Sequence, residues 1–146
     1  MKTDEVTEIG SLDALDEAPM DVVINGKVTT WVWTFAGPGH EKTVEQSNRI
    51  ARQRLHEEAR KEQAVVNGKK WIAEEPTPNE VREKNVNWIV GRLLGWTPVK
   101  IDGEMLTYSE DAARKLLADP RKSAIYVQAL EFLAADTSFT PRSATT

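Results

Sequence analysis

Residues 21–35, Asp-Val-Val-Ile-Asn-Gly-Lys-Val-Thr-Thr-Trp-Val-Trp-Thr-Phe, leave the backbone few choices. Asn25-Gly26 suits a two-residue type I′ turn, in which both central residues need positive φ, and the flanks are rich in β-branched and aromatic residues. Such a turn pairs Ile24 with Lys27 and Val22 with Thr29. Alternation then places Val22, Ile24, Thr29, Trp31, Trp33 and Phe35 on one face. A bare hairpin is marginal in water, so that face must be covered.

After a glycine-proline loop, Thr43 offers a helix N-cap, with Gln46 completing a capping box. Val44, Ser47, Ala51, Leu55, Ala59 and Val66 recur at helical spacing, and Arg49, Arg52, Arg54, Glu57, Arg60 and Lys61 occupy the other faces. Asn67-Gly68 supplies a left-handed stop, which predicts a helix of roughly 35 Å. Trp71-Ile72 reads as an anchor of the following connector to the core. Thr77-Pro78-Asn79-Glu80 is a compact helix start. The helix it opens carries Val81, Val86, Trp88, Ile89, Val90, Leu93 and Leu94 to a stop at Gly95, with apolar residues nearly encircling its last turns, the mark of a buried central helix. Gly91 there permits close approach of a neighbour. Pro98 to Tyr108 reads as a second hairpin about Asp102-Gly103. Ser109 caps a short helix over 110–118, and Asp119-Pro120 starts another, carrying Ile125, Leu130 and Leu133 to about Asp136. The expected fold class is α+β, mainly helical: N-terminal β-hairpin, long helix, buried central helix, small second hairpin, two C-terminal helices. The domain limits expected are a disordered acidic arm at 1–19, one globular domain at 20–136, and a flexible tail at 137–146 that includes Phe139.

A chain of 146 residues that is 40% apolar and 29% charged suffices for one core. The absence of cysteine excludes disulfides and thiolate metal sites and fits a reducing compartment. No window approaches a membrane span of about 18 apolar residues, and the acidic start does not read as a signal peptide. Asp4, Glu5, Glu8, Asp13, Asp16 and Glu17 against Lys2 give the arm more negative charge than the net −4 of the whole chain. The rest is nearly neutral, which argues against a nucleic-acid binder.

The motifs of catalysis are missing. In Gly37-Pro-Gly-His-Glu-Lys-Thr43 a P-loop would need glycine before the lysine, and Glu41 stands there instead. His40 and His56 lack a partner at the spacing of a helical zinc pair, so no metal and no cofactor is expected. The serines lie in caps, helices and tails, not in a strained elbow. Five tryptophans remain to be placed. Trp88 and Trp96 read as core. Trp31 and Trp33 are open to either role, because such residues dominate cores and binding hot spots alike.

The Gly37–Thr43 run, placed between a tryptophan-bearing strand and an Asn48-Arg49 helix, resembles proteins encoded in phage and prophage tail modules. So do Asn85-Val-Asn-Trp-Ile-Val-Gly-Arg-Leu-Leu-Gly-Trp96, Val99-Lys-Ile-Asp-Gly103, Tyr108–Pro120, and Glu131–Asp136 with Phe139. Over roughly residues 20–142 the chain is similar to the tail-assembly chaperones of long-tailed bacteriophages. The resemblance implies a non-enzymatic protein that binds the tape-measure protein in the cytoplasm of the bacterial host, helps the tail tube assemble, and is absent from the mature virion. The tail tube protein and further copies of the chain are additional candidate partners; nucleic acid and membrane are not. The alternative is another phage-encoded binding protein, a structural head or tail component or an inhibitor of a host system. On either reading the expected partner surface is Trp31, Trp33 and Phe35 on the hairpin, rimmed by Arg49, Arg52 and Arg60.

Overall fold

The computed structural model describes residues 6–10, 12–71 and 75–141. Strands β1 (Glu17–Ile24) and β2 (Lys27–Ala36) form the first hairpin, with Asn25 at φ 51° and Gly26 at φ 77°, as the type I′ turn requires. Ile24 opposes Lys27 and Val23 opposes Val28, but Asp21 then opposes Val32. The irregularity lets β2 take up two extra residues, held by the Thr29 hydroxyl, which donates to Val22 O (2.6 Å) and accepts from Trp31 N (3.2 Å). A slip of two preserves facing parity, so Trp31, Trp33 and Phe35 stay on the face of Val22. Ile24 and Thr29, expected on that covered face, lie at the hairpin tip, exposed and half-buried respectively.

The strand begins inside the segment expected to be the arm: Glu17, Ala18 and Pro19 pair with Ala36, Phe35 and Thr34. Ala18 is buried, and Leu15 N donates to Phe139 O (2.8 Å). At the other end Phe139, expected in the flexible tail, is buried in a 3₁₀ turn, Asp136–Phe139, with its ring against Phe132. An aromatic side chain exposes too much apolar surface to water to be left in a tail when a core edge is within reach. Of the expected arm and tail, residues 1–5, 11 and 142–146 lie outside the described residues.

Helix α1 (Glu41–Val66) starts two residues before the expected cap. The N-cap is His40, whose Nδ1 accepts from Lys42 N (3.1 Å), and Thr43 instead is buried within the first turn with its hydroxyl directed at Ala36 O. Helix α2 (Pro78–Arg92) has the expected cap, Thr77 Oγ1 accepting from Glu80 N (3.2 Å). It ends sooner than expected. Leu93–Trp96 is a third strand, β3, which pairs antiparallel with β2, Trp33 opposite Trp96 and Thr34 opposite Gly95. Thr97 locks the join, its N donating to Val32 O and its Oγ1 accepting from Val32 N, both at 2.9 Å. A short apolar run suits helix and strand equally, and here the open edge of β2 decides.

The second hairpin is β4 (Val99–Ile101) and β5 (Glu104–Leu106), with Asp102 and Gly103 both at positive φ. Helix α3 (Glu110–Ala118) is capped by Ser109. A 3₁₀ turn at Pro120–Lys122 then leads into α4 (Ser123–Ala134). The fold is α+β, with the three-stranded sheet in one layer and α2, α3 and α4 in the other. Ala18, Met20, Val22, Trp31, Trp33 and Phe35 meet Val86, Ile89, Val90, Leu117, Ala129 and Leu133 between the layers. The rings run on continuously: Trp33 stacks on Trp96 (5.1 Å, 29°), Trp96 meets Tyr108 edge-on (5.0 Å), and Phe35 stacks on Phe132 (5.4 Å).

Candidate functional site

The sheet face expected to receive a partner is the core of the domain. Trp33 and Phe35 are fully buried and Trp31 is 5% exposed. The helices of the same chain cover them, so these three residues are corrected from docking surface to core. Arg49, Arg52 and Arg60 are exposed, but on α1, whose main packing neighbour is α2. They do not rim an open aromatic face. Trp71 is also placed differently: it is 41% exposed rather than an anchor, and Ile72 lies outside the described residues.

A concave surface lies instead between α1 and α2. Gln46 on α1 donates from Nε2 to Trp88 O (3.1 Å) and Asn87 O (3.4 Å) on α2. Gly91 makes that approach available: a Cβ there would sit 2.1 Å from Gln46 Nε2. Beyond this junction the helices diverge over a cleft of about 900 Å³. Ile50 and Trp88, both half-buried, supply its apolar lining. Five bases (Lys42, Arg49, Arg54, Lys84, Arg114) and five acids (Glu45, Glu57, Glu80, Glu83, Glu110) line the walls. Arg114 donates to Asn87 Oδ1 and pairs with Glu110 (3.6 Å), which closes one end against α3.

Equal numbers of each sign do not make a phosphate track, whose affinity rests on net positive charge. An apolar strip between mixed-charge walls suits an amphipathic helix laid lengthwise. Of the expected site residues only Arg49 borders this cleft. The sequence signal that bears on it is Gly91, a helical glycine beside Trp88. Its partner, Gln46, is indistinguishable in the sequence from a capping residue.

Elsewhere the charged groups serve the fold. Arg92 is buried, donates from Nε and Nη2 to Ala36 O (3.1 and 2.6 Å) and lies 5.0 Å from the Phe139 ring; burial pushes its pKa down. The Tyr108 hydroxyl donates to Leu93 O (3.2 Å), and burial together with Glu110 raises its pKa. Lys122 (2.7 Å) and then Arg121 hold the Asp119 carboxyl well below the usual carboxylate range. Because its folded pKa is depressed, its contribution is present above the unfolded value of about 3.9 and is lost as pH falls below it. Asp119→Asn is therefore expected to flatten the acid limb of a stability–pH profile below about pH 4, which thermal melts at stepped pH measure.

Among the described residues no three His, Asp or Glu side chains gather to hold a metal ion, and no helix is long and apolar enough to cross a membrane. Comparison with protein-family models, curated proteins and solved structures finds no match to this chain.

Proposed function

We propose that this chain is a non-enzymatic tail-assembly chaperone of a long-tailed phage or prophage. It holds a helical stretch of the tape-measure protein in the cleft between α1 and α2, acts in the host cytoplasm, and leaves before the virion is complete. The observation that carries the reading is the cleft itself, long, open and floored by Ile50 and Trp88 between walls of balanced charge. A tape-measure protein is long, helical and prone to aggregate, and a holder for it needs apolar contact inside a polar rim.

The test is co-expression with a tape-measure protein from the same source genome, followed by affinity capture and melting curves. Ile50→Glu combined with Lys84→Glu puts two acids into the cleft at positions outside the core. The expected result is a complex with the parent chain and binding at least about 30-fold weaker with the double variant, the size of a hot-spot loss, at unchanged melting temperature. Absence of any complex rejects the chaperone reading. Full binding by the folded double variant moves the partner to another surface.

A further inference from the structure

From Ala51 to Val66 every residue of α1 is exposed except the half-buried Ala64. An isolated helix of that length is marginal in water, yet this one carries Leu55 and Val66 at 65% and 79% exposure. At 100° per residue, Val44, Asn48, Ala51, Leu55, Ala59, Glu62 and Val66 form one stripe, and all seven are exposed. Thr43 and Gln46, which bond α1 to the rest of the domain, and the cleft residue Ile50 lie on nearly the opposite side. Among the described residues nothing covers the stripe.

Its order is a palindrome about Leu55. Ala51 and Ala59 stand four residues to either side, Asn48 and Glu62 seven, Val44 and Val66 eleven. We propose that α1 pairs antiparallel with α1 of a second copy, about a two-fold axis through Leu55. Each residue then meets a suitable counterpart: valine on valine, alanine on alanine, the Asn48 amide on the Glu62 carboxylate. The alanines beside the axis admit close approach, and an isologous contact of this kind closes at two copies. The spacing repeats every eleven residues, which calls for a shallow right-handed supercoil.

Charge complementarity favours a second copy over an unrelated partner. On one flank, Arg54 comes within two residues of helical rise, about 3 Å, of Glu58 of the second copy, and symmetry makes the pair twice. Among the described residues neither has an ion-pair partner within the chain. The bodies sit at opposite ends, each on the far side of its own helix, so the α1–α2 cleft stays open. Apart from Arg54, which stands between the stripe and the cleft, the inference concerns a different face, and it stands without the chaperone reading.

Sedimentation of the full chain at micromolar concentration is expected to give a dimer. Leu55→Glu sets two carboxylates on the axis and is expected to weaken association about 30-fold or more while the melting curve of the folded chain persists, because Leu55 touches no core residue. Arg54→Glu and Glu58→Arg each weaken it, and the double exchange restores it. The chain has no cysteine, so a short bismaleimide added to mixed Val44→Cys and Val66→Cys variants reports the pairing alone: 44 is expected to link to 66. A monomeric parent, a dimer indifferent to Leu55→Glu, or linkage of 44 to 44 and 66 to 66 overturns the proposal.

Discussion

Trp33→Ala is expected to cost about 3–5 kcal/mol, the range for truncating a buried aromatic ring, and to unfold much of the population at temperatures where the parent is native. Trp33 is 0% exposed and contacts Trp31, Phe35 and Trp96 within one cluster, so little can collapse into the space it leaves. Against a domain stability of about 5–15 kcal/mol such a loss is decisive. Trp33→Phe is expected to cost only about 1–2 kcal/mol, for two reasons: it keeps most of the ring, and it removes a buried N–H whose lack of a partner itself costs about 1–3 kcal/mol. That N–H, Nε1 of Trp33, is buried and has no partner among the described residues, and the same holds for Nε1 of Trp31. Urea or thermal melts of both variants give the ordering directly. A Trp33→Ala chain as stable as the parent would return this side chain to the surface role first expected of it.

The contrast explains what could and could not be read in the sequence. Turns and caps were legible because single residue types enforce them: Asn25-Gly26, Asp102-Gly103, Thr77-Pro78 and Ser109 each act within four residues. Alternation likewise identified a covered face on the hairpin. What local pattern does not contain is the identity of the cover. Trp31, Trp33 and Phe35 look the same whether α2 and α4 or another protein lies over them. β3 was hidden for the same reason: Leu93 to Trp96 becomes strand because β2 has an edge free 60 residues earlier. In α1 the period was legible but not the direction it faces. The periodicity of Val44, Ala51, Leu55, Ala59 and Val66 was real, but it marks a stripe turned away from the body. The cleft between α1 and α2 depends on where Gln46 meets Gly91, a contact between positions 45 residues apart. Only one of its lining residues was among those expected.

Gly37→Ala is expected to destabilise by about 1–3 kcal/mol, the usual penalty for forcing extra atoms into a packed site. At a glycine that alanine fits, the same change stabilises by about 0.4–1 kcal/mol, so the sign alone is informative. A Cβ on Gly37 would lie 1.8 Å from Leu15 O and 2.9 Å from the Leu15 carbonyl carbon. Both are backbone atoms, and no rotamer relieves the clash. The chain at Leu15–Asp16 must therefore move, which breaks Gly37 N to Asp16 O (2.7 Å) and strains Leu15 N to Phe139 O (2.8 Å). Phe139 is itself held by Phe132 and by Arg92, so the disturbance reaches the core edge without entering the sheet centre. Gly10, with nothing within 4 Å of its Cβ position and no positive φ, is the control and is expected to be neutral or slightly stabilising as alanine. Thermal melts measure the size of the effect, and hydrogen exchange locates it. The amides of Leu15 and Gly37 should exchange faster in Gly37→Ala, while that of Phe35, paired within the sheet, should slow or quicken only with global stability. Parent-like stability, or a loss spread evenly over all amides, would mean that the entry into β1 does not depend on the close passage of the two backbones at Gly37.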